Sequence, residues 1–356
     1  MAFNEKYVTA SATGGGTGTQ ASPWTWDEAV ANYAAGDRVN VKAGTYTSNG
    51  TNSTTNGSLT QPVVFRGYKD SIGDMDDVPL NGLVDGTDIP TVSTSTNASG
   101  PKGQYIYVNN ISFTTNQSFM TYAWDFGLYG ALRHCRFIST HAQGSCPVRG
   151  KTFFGCYAET ASLYGAIAAN AFVIDSCVFR GVNGGLSNPK GLSLAGVCTN
   201  SLFVNFSPAI DFRYPSIGLI ANNTFVDCDT AINFSSNNPT NGARIISNNY
   251  FYSCTTALND GFRTDDPTFH MINNGFYNVT TQASSGIAFN LNSKVDTSDP
   301  FEDYSNNDFR LKSSSVGYGA SEQSVFDYYS ISNNRDIGAL QSQPPSGGGN
   351  VIVIEE

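Results

Sequence analysis

Apolar and polar positions alternate in short runs of three to six residues along most of the chain, and the runs are rich in Phe, Val, Ile and Tyr. A period of two belongs to strands, not helices. The runs themselves recur. An aromatic that follows an Asn or Cys pair stands at Phe113, Phe137, Tyr157, Phe179, Phe203, Phe225, Phe251 and Phe276, at intervals of 20–26 residues. Three copies are clearest: IANNTFVDCDTAINF (220–234), ISNNYFYSCTTALND (246–260) and INNGFYNVTTQASSG (272–286). A repeat of this length holding three short strands is one coil of a solenoid. The pattern predicts an all-β, right-handed, single-stranded parallel β-helix of about eight coils, with equivalent residues stacked about 4.8 Å apart.

Stacking turns the alignment into columns. Three residues before each aromatic lie Asn110, His134, Phe154, Ser176, Asn200, Asn222, Asn248 and Asn273, which predicts an asparagine ladder bonding from coil to coil at a turn. Three residues after it lie Val182, Phe206, Cys228, Cys254 and Val279, an apolar stack expected to face inward. The outward column eight residues after it reads Thr121, Ser145, Gly165, Ser187, Asp211, Asn233, Asn259 and Ser284.

The ends differ from the repeat. Thr25 and Glu28 form a capping box, and Trp26, Ala29, Val30 and Tyr33 share one face of the helix that follows, which is expected to end at Gly36. An open β-helix end exposes core and unpaired strand edge, so this helix is placed as a lid on the first coil, with Arg38–Lys42 and Pro62–Tyr68 as the first strands. The chain then divides into a cap and first strand (1–50), the coils (51–285), C-terminal coils with a cap (286–342) and a tail (343–356). In the tail a Pro- and Gly-rich linker precedes Val351, Ile352, Val353 and Ile354. These four read as a strand seeking an edge, on this molecule or on a partner.

Composition narrows the partners. The chain has 356 residues, of which 13% are charged, and a formal net charge of −10. Nucleic acid and anionic membranes are unexpected, since both need clustered Lys and Arg. No basic, apolar leader stands at the N-terminus, and synthesis in the cytosol is expected. Seven cysteines leave at least one unpaired and read as small buried hydrophobes of a reducing compartment.

The opening YVTASATGGGTGTQASPWTWDEAVAN…AGDRVNVKAGTYT and the closing NNDFRLKSSS…DIGALQ resemble the pectate-lyase-like β-helix superfamily over nearly the whole chain. The resemblance implies the fold. It leaves the activity open among polysaccharide lyases and hydrolases, epimerases, phage tailspikes and structural modules. A lyase of this fold needs stacked acids holding Ca²⁺ and an Arg or Lys base, and a hydrolase needs paired carboxylates.

Asp211 and Arg213, two residues apart on one strand face, are the acid–base candidates, with a surface ion pair as the alternative reading. Asp260, Asp265 and Asp266 form a turn that could hold Ca²⁺ or be plainly solvated, and Asp70, Asp74, Asp76 and Asp77 form a similar loop. Tyr122, Trp124, Tyr164 and Tyr214 could stack on sugars, or pack under loops. No other cofactor is expected. The missing acid column favours a non-enzymatic surface protein of a virion, a capsid decoration or tail component that contacts capsid or tail proteins or forms a homo-oligomer such as a trimer. The second reading is a lyase or hydrolase acting on acidic polysaccharide.

Overall fold

A computed structural model describes residues 2–75, 85–96, 100–116, 122–126, 130–141, 146–161, 167–182, 189–212, 218–234, 244–259, 269–284, 289–320 and 338. The chain is an all-β parallel solenoid. Its contacts fall into two units, Met1–Ala171 with Gly181–Pro189, and Phe172–Arg180 with Lys190–Glu356, each described by itself.

In the first unit the helix is Trp26–Asn32, and both arms of the Thr25/Glu28 capping box are made. It stops at Tyr33, before the predicted Gly36, because Tyr33 turns extended and its hydroxyl donates to the Thr55 carbonyl at 2.9 Å. Its apolar face does close the coil: Trp26 meets Phe65 and Phe113 at ring-centroid distances of 5.9 and 6.0 Å. The pattern missed the strand Asn4–Val8, which pairs parallel with Asp37–Lys42, itself paired with Val63–Tyr68. The strands Thr45–Ser48, Thr91–Thr94, Ser112–Thr115, Arg136–Ser139 and Tyr157–Thr160 then stack in register.

That register corrects one aromatic. Phe113 lies on Phe137, but Phe137 lies on Ala158, so Tyr157 faces outward beside Arg136. The mark that holds register is the buried residue two places before the column. Cys135 and Cys156 occupy it, and each thiol donates to a carbonyl of the preceding coil, at 3.3 and 3.4 Å.

In the second unit Phe179, Phe203, Phe225, Phe251 and Phe276 stack with centroids 4.8–5.3 Å apart. The ladder exists, on the other residue of each pair. Asn223, Asn249 and Asn274 are fully buried, and each amide oxygen of Asn249 and Asn274 accepts both the backbone and side-chain N–H of the coil before it. The residue in front has a different task. Asn200, Asn222, Asn248 and Asn273 adopt φ of 51–56°, the left-handed turn that asparagine tolerates best after glycine. Within that column Asn273 Nδ2 donates to Asn248 Oδ1 at 2.7 Å.

Phe206, Cys228 and Cys254 are buried as expected, whereas Val182 is 40% exposed and Val279 half-buried. Phe301–Asp303 and Asp308–Leu311 pair antiparallel and return over the outside of the stack, burying Phe301 against Tyr252 at 4.6 Å. Asp296 anchors this strap, accepting from the Tyr250 hydroxyl, Ser315 Oγ and the Val316 N–H.

Candidate functional site

In both units a third strand carries an outward acid. In the first unit Trp124 and Phe126 point into the core and Asp125 between them points out. Asp125 sits opposite Arg149 on the next strand, Cys146–Arg149, and Arg149 Nε lies 3.2 Å from Asp125 Oδ1. Only 4% of Asp125 is exposed, so this carboxylate is a fixed buttress for the guanidinium. Lys151 turns the corner two residues later. It is half-buried, and its amine is held below the ordinary lysine value, first by burial and then by the charge of Arg149. Arg149 and Lys151 thus place two cationic side chains at one corner, the second with its amine held below the ordinary lysine value.

The second unit carries a polar column in the same alternation. Asp211 lies between the inward Ile210 and Phe212, and its strand neighbours are Ser193 and Asn233. Asn233 Nδ2 donates to Asp211 Oδ1 at 3.1 Å, Asn259 Nδ2 to Asn233 Oδ1 at 2.9 Å, and Ser284 Oγ to Asn259 Oδ1 at 3.1 Å. Asp211 is 6% exposed. Its coil neighbour is Ser193, not the Ser187 that constant counting gave.

Arg213 and Tyr214 lie outside the described residues, as do Asp260, Asp265, Asp266, Asp76, Asp77, Tyr164 and Val351–Ile354. Tyr122 begins its strand, with its side chain outside the description. Trp124 is a correction: it is fully buried against Phe113, 4.8 Å between centroids, so its ring belongs to the core and offers no sugar platform. Asp74 accepts from the backbone N–H of Lys69, Asp70 and Ser71, which closes a turn.

For Ca²⁺, the donor set decides. Among the described residues no three His, Cys, Asp or Glu side chains converge, and the carboxylates of the outer columns face a guanidinium or an amide. They do not make an oxygen cage.

Counting eight residues from the aromatic missed Asp125, Arg149 and Lys151. In those coils Asp125 stands twelve residues after Phe113 and Arg149 twelve after Phe137, because the turn before the third strand is longer. The usable signal was local: Trp124-Asp125-Phe126 repeats the in-out-in alternation of Ile210-Asp211-Phe212.

No protein-family model matches the chain, and no curated protein matches it. Solved structures do. Pectate lyase Pel9A aligns with a TM-score of 0.58 at 14% identity, over 95% of this chain and 97% of that one. The shared feature is the parallel β-helix fold. A mannuronic acid specific family 6 polysaccharide lyase from human gut microbiota aligns at 0.46 with 12% identity, covering 81% and 66%. The lacto-N-biosidase of Eubacterium ramulus aligns at 0.43 with 10% identity, covering 82% and 67%. At 14% identity the likeness to Pel9A is one of fold.

Proposed function

We propose that this chain cleaves acidic polysaccharide by β-elimination at the corner formed by Asp125, Arg149 and Lys151. The observation that carries the reading is the depressed lysine amine beside an anchored arginine. The full-length likeness to a pectate lyase fold supports it.

In this reaction Arg149 pairs with the carboxylate of a uronate, which makes the adjacent C–H more acidic, and Asp125 holds the guanidinium in place. The Lys151 amine, in its deprotonated form, takes that proton. The released electron pair forms a carbon–carbon double bond and expels the glycosidic oxygen, which leaves as a hydroxyl after taking up a proton. Hydrolysis is the weaker alternative, since it needs two carboxylates at short range, and the outer columns set Asp125 against Arg149 and Asp211 against Asn233. The virion-surface role rests on no observation in the fold or the comparisons.

The test is incubation of the purified chain with polygalacturonate and with alginate, following the ultraviolet absorbance of the unsaturated product. Lys151→Ala is expected to lose about 100-fold or more of the rate, the usual worth of a general base. An unchanged rate in Lys151→Ala overturns the assignment, and so does the absence of unsaturated product from both polymers.

A further inference from the structure

The outer face beside that corner is built for binding as well. The strands Ile106–Asn109, Ala131–Arg133 and Thr152–Phe154 pair in register. Val108, Leu132 and Phe153 fill the core, so the alternate residues face out. Two outward columns result: Tyr107, Ala131 and Thr152 in one, Asn109, Arg133 and Phe154 in the other.

This face breaks the usual economy of a β-helix exterior. Tyr107 is 36% and Phe154 37% exposed, two coils apart, roughly 10 Å along the stack. Arg133 is exposed between them, and the positions beside it carry the small Ala131 and Thr152, which leave a shallow floor. Lys151 immediately precedes Thr152, so the face begins at the catalytic corner. Arg133, Arg149 and Lys151 thus fall on adjacent coils of a chain whose formal net charge is −10. A cationic patch on an acidic protein selects an anionic partner, and exposed rings two coils apart select a flat, repeating one.

We propose that this face is an accessory shelf for a run of acidic sugars, on which Tyr107 and Phe154 stack against pyranose rings and Arg133 pairs with a uronate carboxylate. The shelf rests on the reading of the corner as a polysaccharide site, and it deepens that reading. A substrate long enough to reach from the corner across two coils must carry more than one carboxylate, so the preferred substrate is a polyuronate rather than an isolated uronate in a neutral chain.

The experiment separates the two ideas by removing cleavage first. Binding of polygalacturonate and alginate is measured by affinity electrophoresis on Lys151→Ala, and again after adding Tyr107→Ala and Phe154→Ala together. The added pair is expected to weaken retention by about tenfold or more, and Arg133→Gln to weaken it further in low salt than in high. Circular dichroism and the thermal midpoint check that the fold persists, and Tyr107→Trp is expected to restore or strengthen binding. Unchanged retention in the triple variant overturns the shelf, even where the wild type cleaves and Lys151→Ala does not. Weakened retention with a wild type that cleaves nothing supports the shelf and removes the catalytic reading instead.

Discussion

Asn223 donates from Nδ2 to Oδ1 of Asn249 at 3.0 Å, while its own backbone N–H reaches the same oxygen, also at 3.0 Å. Asn249 in turn donates to the Ile220 carbonyl and to Asn274 Oδ1, at 2.8 and 3.1 Å. All three side chains are shut away from water. Asn249→Ala therefore strands two donors of Asn223 and the carbonyl of Ile220 at once, and is expected to cost about 2–4 kcal/mol, each buried group contributing about 1–3 kcal/mol less whatever neighbours recover. Asn222, one place earlier in the repeat, supplies a turn at φ 56°. Asn222→Gly should stay within about 1 kcal/mol of wild type, whereas Asn222→Val should lose about 1–3 kcal/mol to backbone strain. Chemical denaturation midpoints of the three variants check this, and equal losses in Asn249→Ala and Asn222→Gly would show that the two positions share one role.

That contrast marks what the sequence made legible. An Asn-Asn pair announces a turn ladder, yet spacing alone does not say which asparagine bends the chain and which bonds it, because both jobs favour the same residue. The coils were legible because stacked aromatics impose a repeat, until Tyr157, where the cysteine two places before the column keeps register and the aromatic does not. The corner proposed at Asp125, Arg149 and Lys151 was illegible for a related reason. A fixed offset assumes turns of constant length, and the longer turn before Asp125 and Arg149 moved both out of the counted column. Asp211 was found because its turn is short.

The proposed cleavage carries a pH profile set by Lys151. The base must be neutral, and the folded amine has a pKa below the ordinary lysine value because of burial and then Arg149. Log kcat/KM is expected to rise with pH and level off below the pH at which an ordinary lysine titrates. Arg149→Gln removes the neighbouring charge, so the ascending limb should shift to higher pH as the plateau falls. A limb that stays in place would mean that another group supplies the base.

The thiols should be silent. Cys135, Cys156, Cys177, Cys198, Cys228 and Cys254 are all buried and unpaired by disulfides. Burial, then the neighbouring thiol, pushes Cys135 and Cys254 well above the ordinary range. Since the thiolate is the reactive species, a Cys146→Ser background should show no fast reaction with an aromatic disulfide reagent in native buffer. Six thiols should appear on unfolding. Rapid native labelling of any of the six would contradict the burial of that thiol.

The strap gives a stability effect with a definite sign. Asp227 sits under it at φ 52°, and the Tyr304 hydroxyl donates to its carboxylate. Burial raises the Asp227 pKa, and the Tyr304 bond offsets that only in part. The folded state thus holds this proton more tightly than the unfolded state, so the contribution of Asp227 is fully present below the unfolded carboxylate value and is lost as pH rises through the raised folded one. Asp227→Asn removes the charge and keeps an acceptor for Tyr304. Asparagine also suits the turn, as Asn205 and Asn278 do at the equivalent places, with φ of 62° and 51°. The variant is expected to be more stable than wild type at pH 7, and the advantage should shrink on acidification. Denaturation midpoints of both proteins at a series of pH values test this. A variant less stable at every pH would mean that the ionised Asp227–Tyr304 bond outweighs the cost of burying the charge, and that the strap is latched by it.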